Sequence, residues 1–326
     1  MQQYRDTDYA AVSAALHARE AKLLTQAMAE RMIDAATPEE SYKTLLECGY
    51  APLERCTLEN VEHALSQARR ELYREVSVLA PDKRIIELFQ IKYDYHNAKL
   101  ALKSKRTGED VSRLAMDCGR FDAQKVLRGE TSAVSAAMSR AMAQAESEAG
   151  HSGDVRMAEL LLDRACYEEM SALASETGST FLKDYVALQI DAVNLRTLVR
   201  ARRMGCEDDV LAAAMLPGGH IPAGQLKGAR GDHLSSLTHG TPLDSAGELA
   251  AKLLDSGGGL TEFERACDAL MSYLQRARRT PFGPEVVAGY LGAKEAEFTA
   301  VRTILSGKIA GIAAEDIRAR LRMSYL

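Results

Sequence analysis

The sequence predicts an all-α protein, and three observations predict it. Aromatic residues make up only 6% of the chain and tryptophan is absent, while alanine, leucine, glutamate and arginine dominate most windows. Those are the residues that lose least on entering a helix. Apolar residues recur at spacings of three and four, and strand-like alternation with β-branched enrichment is hard to find. Breaks of proline and glycine then divide the chain into segments of ordinary helical length.

Taken in order, the breaks fall at Thr37-Pro38, Gly49 to Pro52, Ala80-Pro81 and Thr107-Gly108, so helices are expected before, between and after each. Further breaks at Gly150 to Gly153 and at Gly205 bound the helices of the middle of the chain. The stretch Pro217 to Pro242 reads as a long glycine-rich connection, and Ser256 to Gly259 and Thr280 to Pro284 punctuate the last third.

With 326 residues the chain exceeds what one hydrophobic core usually organises, so several domains or a repeated unit are expected. A repeat is present. Asp94-Tyr-His-Asn97-Ala-Lys-Leu-Ala-Leu102-Lys103-Ser-Lys105 agrees with Asp191-Ala-Val-Asn194-Leu-Arg-Thr-Leu-Val199-Arg200-Ala-Arg202 at every charged or amide position. A third copy, Glu297-Phe-Thr-Ala300-Val-Arg302-Thr-Ile-Leu305-Ser306-Gly-Lys308, keeps the acid, the central cation and the last cation but has Ala300 where the asparagine stood. A second echo lies upstream, where Asp163-Arg-Ala-Cys166 to Met170 matches Glu264-Arg-Ala-Cys267 to Met271. Two echoes at a similar period predict three units of about a hundred residues, each ending in a long helix with this pattern. The expected boundaries are 1–110, 111–206 and 207–326.

In the second copy Phe181, Tyr185, Leu188, Ala192, Leu195 and Val199 fall on one helical face, as do Leu88, Ile91, Tyr95, Ala98 and Leu102 in the first. Leu291, Phe298, Val301 and Leu305 continue the stripe in the third, interrupted by Lys294. Asp94 and Asn97, and Asp191 and Asn194, lie one turn apart on the margin of that stripe, where a polar pair must find hydrogen-bond partners. An acid–base role would need a nucleophile, a metal or a second titratable group beside the pair, and none recurs, so these residues and Glu297 read as structural polar ties. Lys103, Lys105, Arg106, Arg200, Arg202, Arg203 and Lys308 stand at helix C-terminal ends, each cluster followed by a glycine, at 108, 205 and 311. There they complement the helix dipole, and in three related units they would also offer a symmetric partner a set of positive contacts.

The formal charge of −5 gives no global attraction to nucleic acid or anionic lipid. The longest uncharged run, Val210 to Leu226, carries Pro217, Pro222 and three glycines, which excludes a spanning helix there, and MQQYRDTDYA has no apolar signal core. The six cysteines lack metal or redox spacing, and His220, His233 and His239 lack the i,i+4 pattern that aims two imidazoles at one ion. Neither glycine-rich turn ends in Lys-Ser/Thr after a strand, so no phosphate loop is expected. No catalytic residue, cofactor or metal is predicted.

The runs "YDYHNAKLALKSK", "IDAVNLRTLVRARRMG", "LPGGHIP" and "GPEVVAGYLGAKEAEFTAVRTILSGKIAG…IRARLRMSYL" together resemble the C subunit of A/V-type rotary ATPases, whose counterpart in eukaryotic vacuolar enzymes is the d subunit. The resemblance covers nearly the whole chain in order. It implies an all-α funnel of three similar helical domains in a pseudo-threefold arrangement. It also implies a non-catalytic rotor adaptor on the cytoplasmic face of the membrane, joining the proteolipid ring to the central stalk and passing torque between ATP turnover and H⁺ or Na⁺ transport. A free-standing helical scaffold that binds peptides is the alternative reading.

Overall fold

The structure, a computed structural model, describes residues 3–152, 155–268 and 270–321. Every regular element among them is a helix, and no strand occurs. In chain order these are α1 (Ala10–Glu20), α2 (Gln26–Asp34), α3 (Pro38–Glu47) and α4 (Leu58–Leu79). There follow α5 (Arg84–Thr107), α6 (Ala123–Leu127), α7 (Ala136–Ser152), α8 (Val155–Thr177) and α9 (Thr180–Arg203). Next come α10 (Asp208–Ala214), α11 (Ala223–Gly228), α12 (Gly231–Thr238) and α13 (Asp244–Ser256). The last are α14 (Thr261–Cys267), α15 (Leu270–Gln275), α16 (Pro284–Ile309) and α17 (Ala314–Arg320).

The ends form where the local chemistry asks. Thr37 caps α3 by accepting from the Glu40 N–H at 3.2 Å, with Pro38 in the first turn, whose missing N–H costs nothing there. Thr57 caps α4 and Ser179 caps α9 in the same way. The glycines read as stops take up left-handed backbone at the three repeated ends, with φ of 73° at Gly108 and 69° at both Gly205 and Gly311. Gly153 and the residues after Leu321, among them part of the C-terminal run of the resemblance, lie outside the described residues, and so does the side chain of Met271.

The chain divides into two compact units. Lys83–Gly257 forms one, and Gln2–Asp82 together with Gly258–Leu326 forms the other. In the first, α5 packs on α6, α7 and α8, while α9 packs on α8, α10, α11 and α13. In the second, α16 is the axis, surrounded by α1, α2, α3, α4, α15 and α17.

The three long repeated helices, α5, α9 and α16, are buried on more than one side. Beyond the expected stripe, Ile85, Phe89 and Leu100 on α5, Leu182, Ile190 and Leu198 on α9, and Val287 and Ile304 on α16 are buried too. Each such side chain contributes about 1.5–3 kcal/mol relative to exposure, so these helices are central posts rather than amphipathic covers. A polar group on them therefore has few directions left in which to meet water.

Candidate functional site

Asp94, Asn97, Asp191, Asn194 and Glu297 are all buried, each 2% exposed or less. On α5, Asn97 Nδ2 donates to the Met116 carbonyl at 2.9 Å, and the Met116 N–H donates to Asn97 Oδ1 at 2.9 Å. One turn earlier, Asp94 Oδ1 accepts the Arg120 N–H at 2.9 Å and the Phe121 N–H at 3.3 Å. The pair thus clasps a single loop, 116–121, through its backbone.

The second copy repeats the same partners, with the two N–H groups divided between the carboxylate oxygens. Asn194 Nδ2 donates to the Leu216 carbonyl at 2.8 Å and Asn194 Oδ1 accepts the Leu216 N–H at 2.7 Å. Asp191 accepts the His220 N–H at 3.0 Å and the Ile221 N–H at 3.1 Å. The residue before each donor pair is a glycine that lies against the carboxylate. A Cβ at Gly119 would stand 2.2 Å from Asp94 Oδ1, and one at Gly219 would stand 2.1 Å from Asp191 Oδ1. Only a residue without a side chain lets the loop come this close.

In the third copy the clasp survives in altered form. Glu297 Oε2 accepts the Leu24 N–H at 2.9 Å, so the loop is supplied by the N-terminal part of the chain. The residue after each clasped N–H, Asp122, Pro222 and Thr25, is the N-cap of the next short helix, so the register is the same in all three. Glu297 Oε1 accepts Tyr50 OH at 2.8 Å and pairs with Lys294, the residue that interrupts the apolar stripe. Lys294 also lies over the rings of Tyr50 and Phe298, 5.2 Å from each centroid. Ala300, in the place of the asparagines, is buried and carries no polar group to satisfy.

Burial sets the electrostatics of the clasps. It pushes Asp94 up to about 6, against the opposing pull of Arg120 and the backbone donors. Burial also pushes Asp191 up to about 6, opposed by the Ile221 and His220 N–H groups. Arg120 adds a bridge that the second copy lacks: its Nε meets Asp94 Oδ2 at 2.6 Å and its Nη1 meets Glu169 Oε1 at 3.0 Å on α8, where Tyr95 OH also donates at 2.9 Å. Asp163, from the second sequence echo, pairs with Lys99 at 2.7 Å, and Cys166 is buried with its thiol pushed up to about 12.

The helix-end cations occupy different settings. Lys103 pairs with Glu159 at 2.7 Å, Lys105 with Glu146 at 2.9 Å, and Arg202 with Asp208 at 2.6 Å. Lys308 Nζ donates to the Ile33 carbonyl at 2.7 Å. Arg106, Arg200 and Arg203 are exposed. Lys105 and Arg106 line one shallow cavity with Leu102 and Glu146. His220 stands 3.9 Å from Asp184 and His239 3.2 Å from Asp244, and among the described residues no cluster of histidine, cysteine and acid has metal-site geometry.

The loops that the carboxylates hold were not singled out as partners by sequence reasoning. The signal was there: Gly119-Arg120-Phe121 and Gly219-His220-Ile221 follow their asparagines at similar intervals, a match of backbone pattern rather than side chains.

The buried polar residues of the long helices serve backbone ties, and comparison with known proteins places the chain in a family. The model of the ATP synthase (C/AC39) subunit family matches residues 12–320. The chain belongs to that family. Similar proteins include the C subunit of the V-type sodium ATPase of Enterococcus hirae, 22% identical over 325 residues and covering 98% of this chain and 99% of that protein. The C subunit of the A-type ATP synthase of Methanocaldococcus jannaschii is 23% identical, covering 96% of this chain and 86% of its own. The C subunit of the V-type ATP synthase of Thermus thermophilus is 26% identical, covering 90% and 92%. Membership in the C/AC39 family makes this chain a subunit of a V/A-type rotary ATPase, and a structural rather than a catalytic one. No helix among the described residues is long and apolar enough to cross a membrane.

Proposed function

We propose that the chain is the rotor adaptor of its complex: it joins the central stalk to the membrane proteolipid ring on the cytoplasmic face and carries torque in H⁺ or Na⁺ transport coupled to ATP. The observation that carries this reading is the clasp repeated on three buried helices of one chain. Torque transmission requires a body that resists twisting, and a tie that fixes each post helix to the loop beside it supplies resistance at three places. Each tie is made of short polar bonds in a dry interior, where they are stronger than in water. On this reading the three clasped helices mark three similar domains in a pseudo-threefold funnel, with boundaries near 110 and 206. Asp94, Asn97, Asp191, Asn194 and Glu297 lock the fold, and Lys103, Lys105, Arg106, Arg200, Arg202, Arg203 and Lys308 are candidate contacts with the neighbouring subunits.

Co-expression with the proteolipid ring and the stalk subunits tests the proposal. The chain should co-purify with both and be needed to keep them joined. A chain that remains monomeric beside a ring and stalk that associate without it would overturn the reading.

A further inference from the structure

We propose that the arginine-rich turn Arg276–Arg279 is a docking surface for an acidic segment of a neighbouring protein in the complex. The turn is a short 3₁₀ helix, RARR, whose three arginines are exposed while Ala277 is 3% exposed. Its orientation is fixed by two glycines on α16. A Cβ at Gly289 would stand 2.6 Å from Ala277 Cβ and 3.2 Å from the Leu274 carbonyl, and one at Gly292 would stand 2.4 Å from Leu274 Cδ1. With Ala277 seated on the post helix, the arginines on either side of it are held outward. A 3₁₀ helix repeats every three residues, so Arg276 and Arg279 project in one direction with Arg278 beside them.

Arg278 and Arg279 make no hydrogen bond or ion pair among the described residues, and Arg276 lies over the Tyr273 ring at 5.4 Å. Phe282, 39% exposed, follows at the edge of the turn. The close packing against α16 is made by Ala277 and Leu274 rather than by the arginines. All three are arginine, whose planar fork pairs two-to-one with a carboxylate where lysine offers a point charge.

The net charge of the chain, −5, argues against an anionic membrane as the occupant, because an extended negative plane is repelled by the whole molecule. A short acidic segment meets the arginines within about one Debye length, ~8 Å, where the local attraction outweighs that repulsion. The partner is therefore a protein segment with at least two closely spaced Asp or Glu side chains and an apolar residue to meet Phe282.

The proposal rests on assembly into the complex, and its test keeps the two apart. Phe282 is replaced by benzoylphenylalanine, which leaves the arginines in place, and the purified assembled complex is irradiated. The expected result is an adduct on another subunit within a segment bearing two or more acidic residues, reduced by about tenfold when Arg276, Arg278 and Arg279 are changed to Glu in a chain of unchanged melting temperature. Adducts on lipid only, on a segment without acids, or at equal yield in the charge-reversed chain overturn the docking surface and leave the adaptor reading in place. A chain that never enters the complex overturns both.

Discussion

At the scale of the residue, the buried carboxylates decide what can be changed. Asp191 accepts from two backbone N–H groups, and among the described residues no arginine pairs with it, so Asp191→Asn turns one acceptor into a donor that faces another donor. The expected loss is about 1–3 kcal/mol at neutral pH, read from urea unfolding. The pH dependence carries a definite sign. The folded carboxyl titrates at about 6, above its ordinary value of 3.8, so the folded state binds the proton first as pH falls. The wild type therefore gains stability relative to Asp191→Asn between pH 6 and 4, by up to about 3 kcal/mol, and gains nothing further below that window. A gap that stays constant from pH 7 to 4 would show that this carboxyl does not take up its proton early. Gly219→Ala attacks the same bond from the loop side. Its Cβ would stand 2.1 Å from Asp191 Oδ1, so a loss of roughly 1–3 kcal/mol is expected from the displaced loop, measured by the shift of the denaturation midpoint.

At the scale of the element, the asparagines and Ala300 form a natural comparison. Asn194→Ala removes two bonds to Leu216 and leaves that buried backbone unsatisfied, an expected cost of about 1–3 kcal/mol. Ala300→Asn does the reverse at a buried position filled by a methyl group, and it should also destabilise, by about 1–3 kcal/mol, in the same unfolding assay. A stabilising Ala300→Asn would mean that a loop backbone waits there to be clasped. The helices themselves were legible because their ends are written in short-range chemistry, such as Thr37 before Pro38 and the glycines at 108, 205 and 311. The repeated acid and amide could be located from sequence for the same reason. Their partners could not, since the tie runs to backbone groups, and every residue has the same N–H and C=O whatever its side chain.

At the scale of the whole molecule, the difficulty of reading changes again. The repeat predicts three related helices in chain order, and the sequence places α16 last. Nothing in the periodicity tells that its clasped loop lies at Leu24, because the bond spans most of the chain and leaves no local trace. The Gly283–Pro284 break and the apolar stripe of α16 describe the post, while the helices that surround it come from both ends. The functional consequence belongs to this scale too. On the proposed adaptor role, Asp94→Asn combined with Asp191→Asn in the assembled complex should leave ATP hydrolysis running while ion transport per ATP falls, because a softened adaptor would let rotation slip. An unchanged transport-to-hydrolysis ratio in a complex whose chain has a lowered melting temperature would confine the clasps to stability alone.

The bond between Leu24 and Glu297 also sets a timetable. A ribosome releases α1 to α4 long before α16 exists, so the N-terminal helices must wait through the synthesis of the entire Lys83–Gly257 unit before their own axis arrives. That unit is contiguous and can close as soon as it emerges, whereas the other depends on contacts of the highest sequence separation in the chain, the kind that slows folding most. During translation, nascent chains halted before α16 should show protease-resistant Lys83–Gly257 and a digestible N-terminal segment, whose apolar faces stay uncovered until α16 is made.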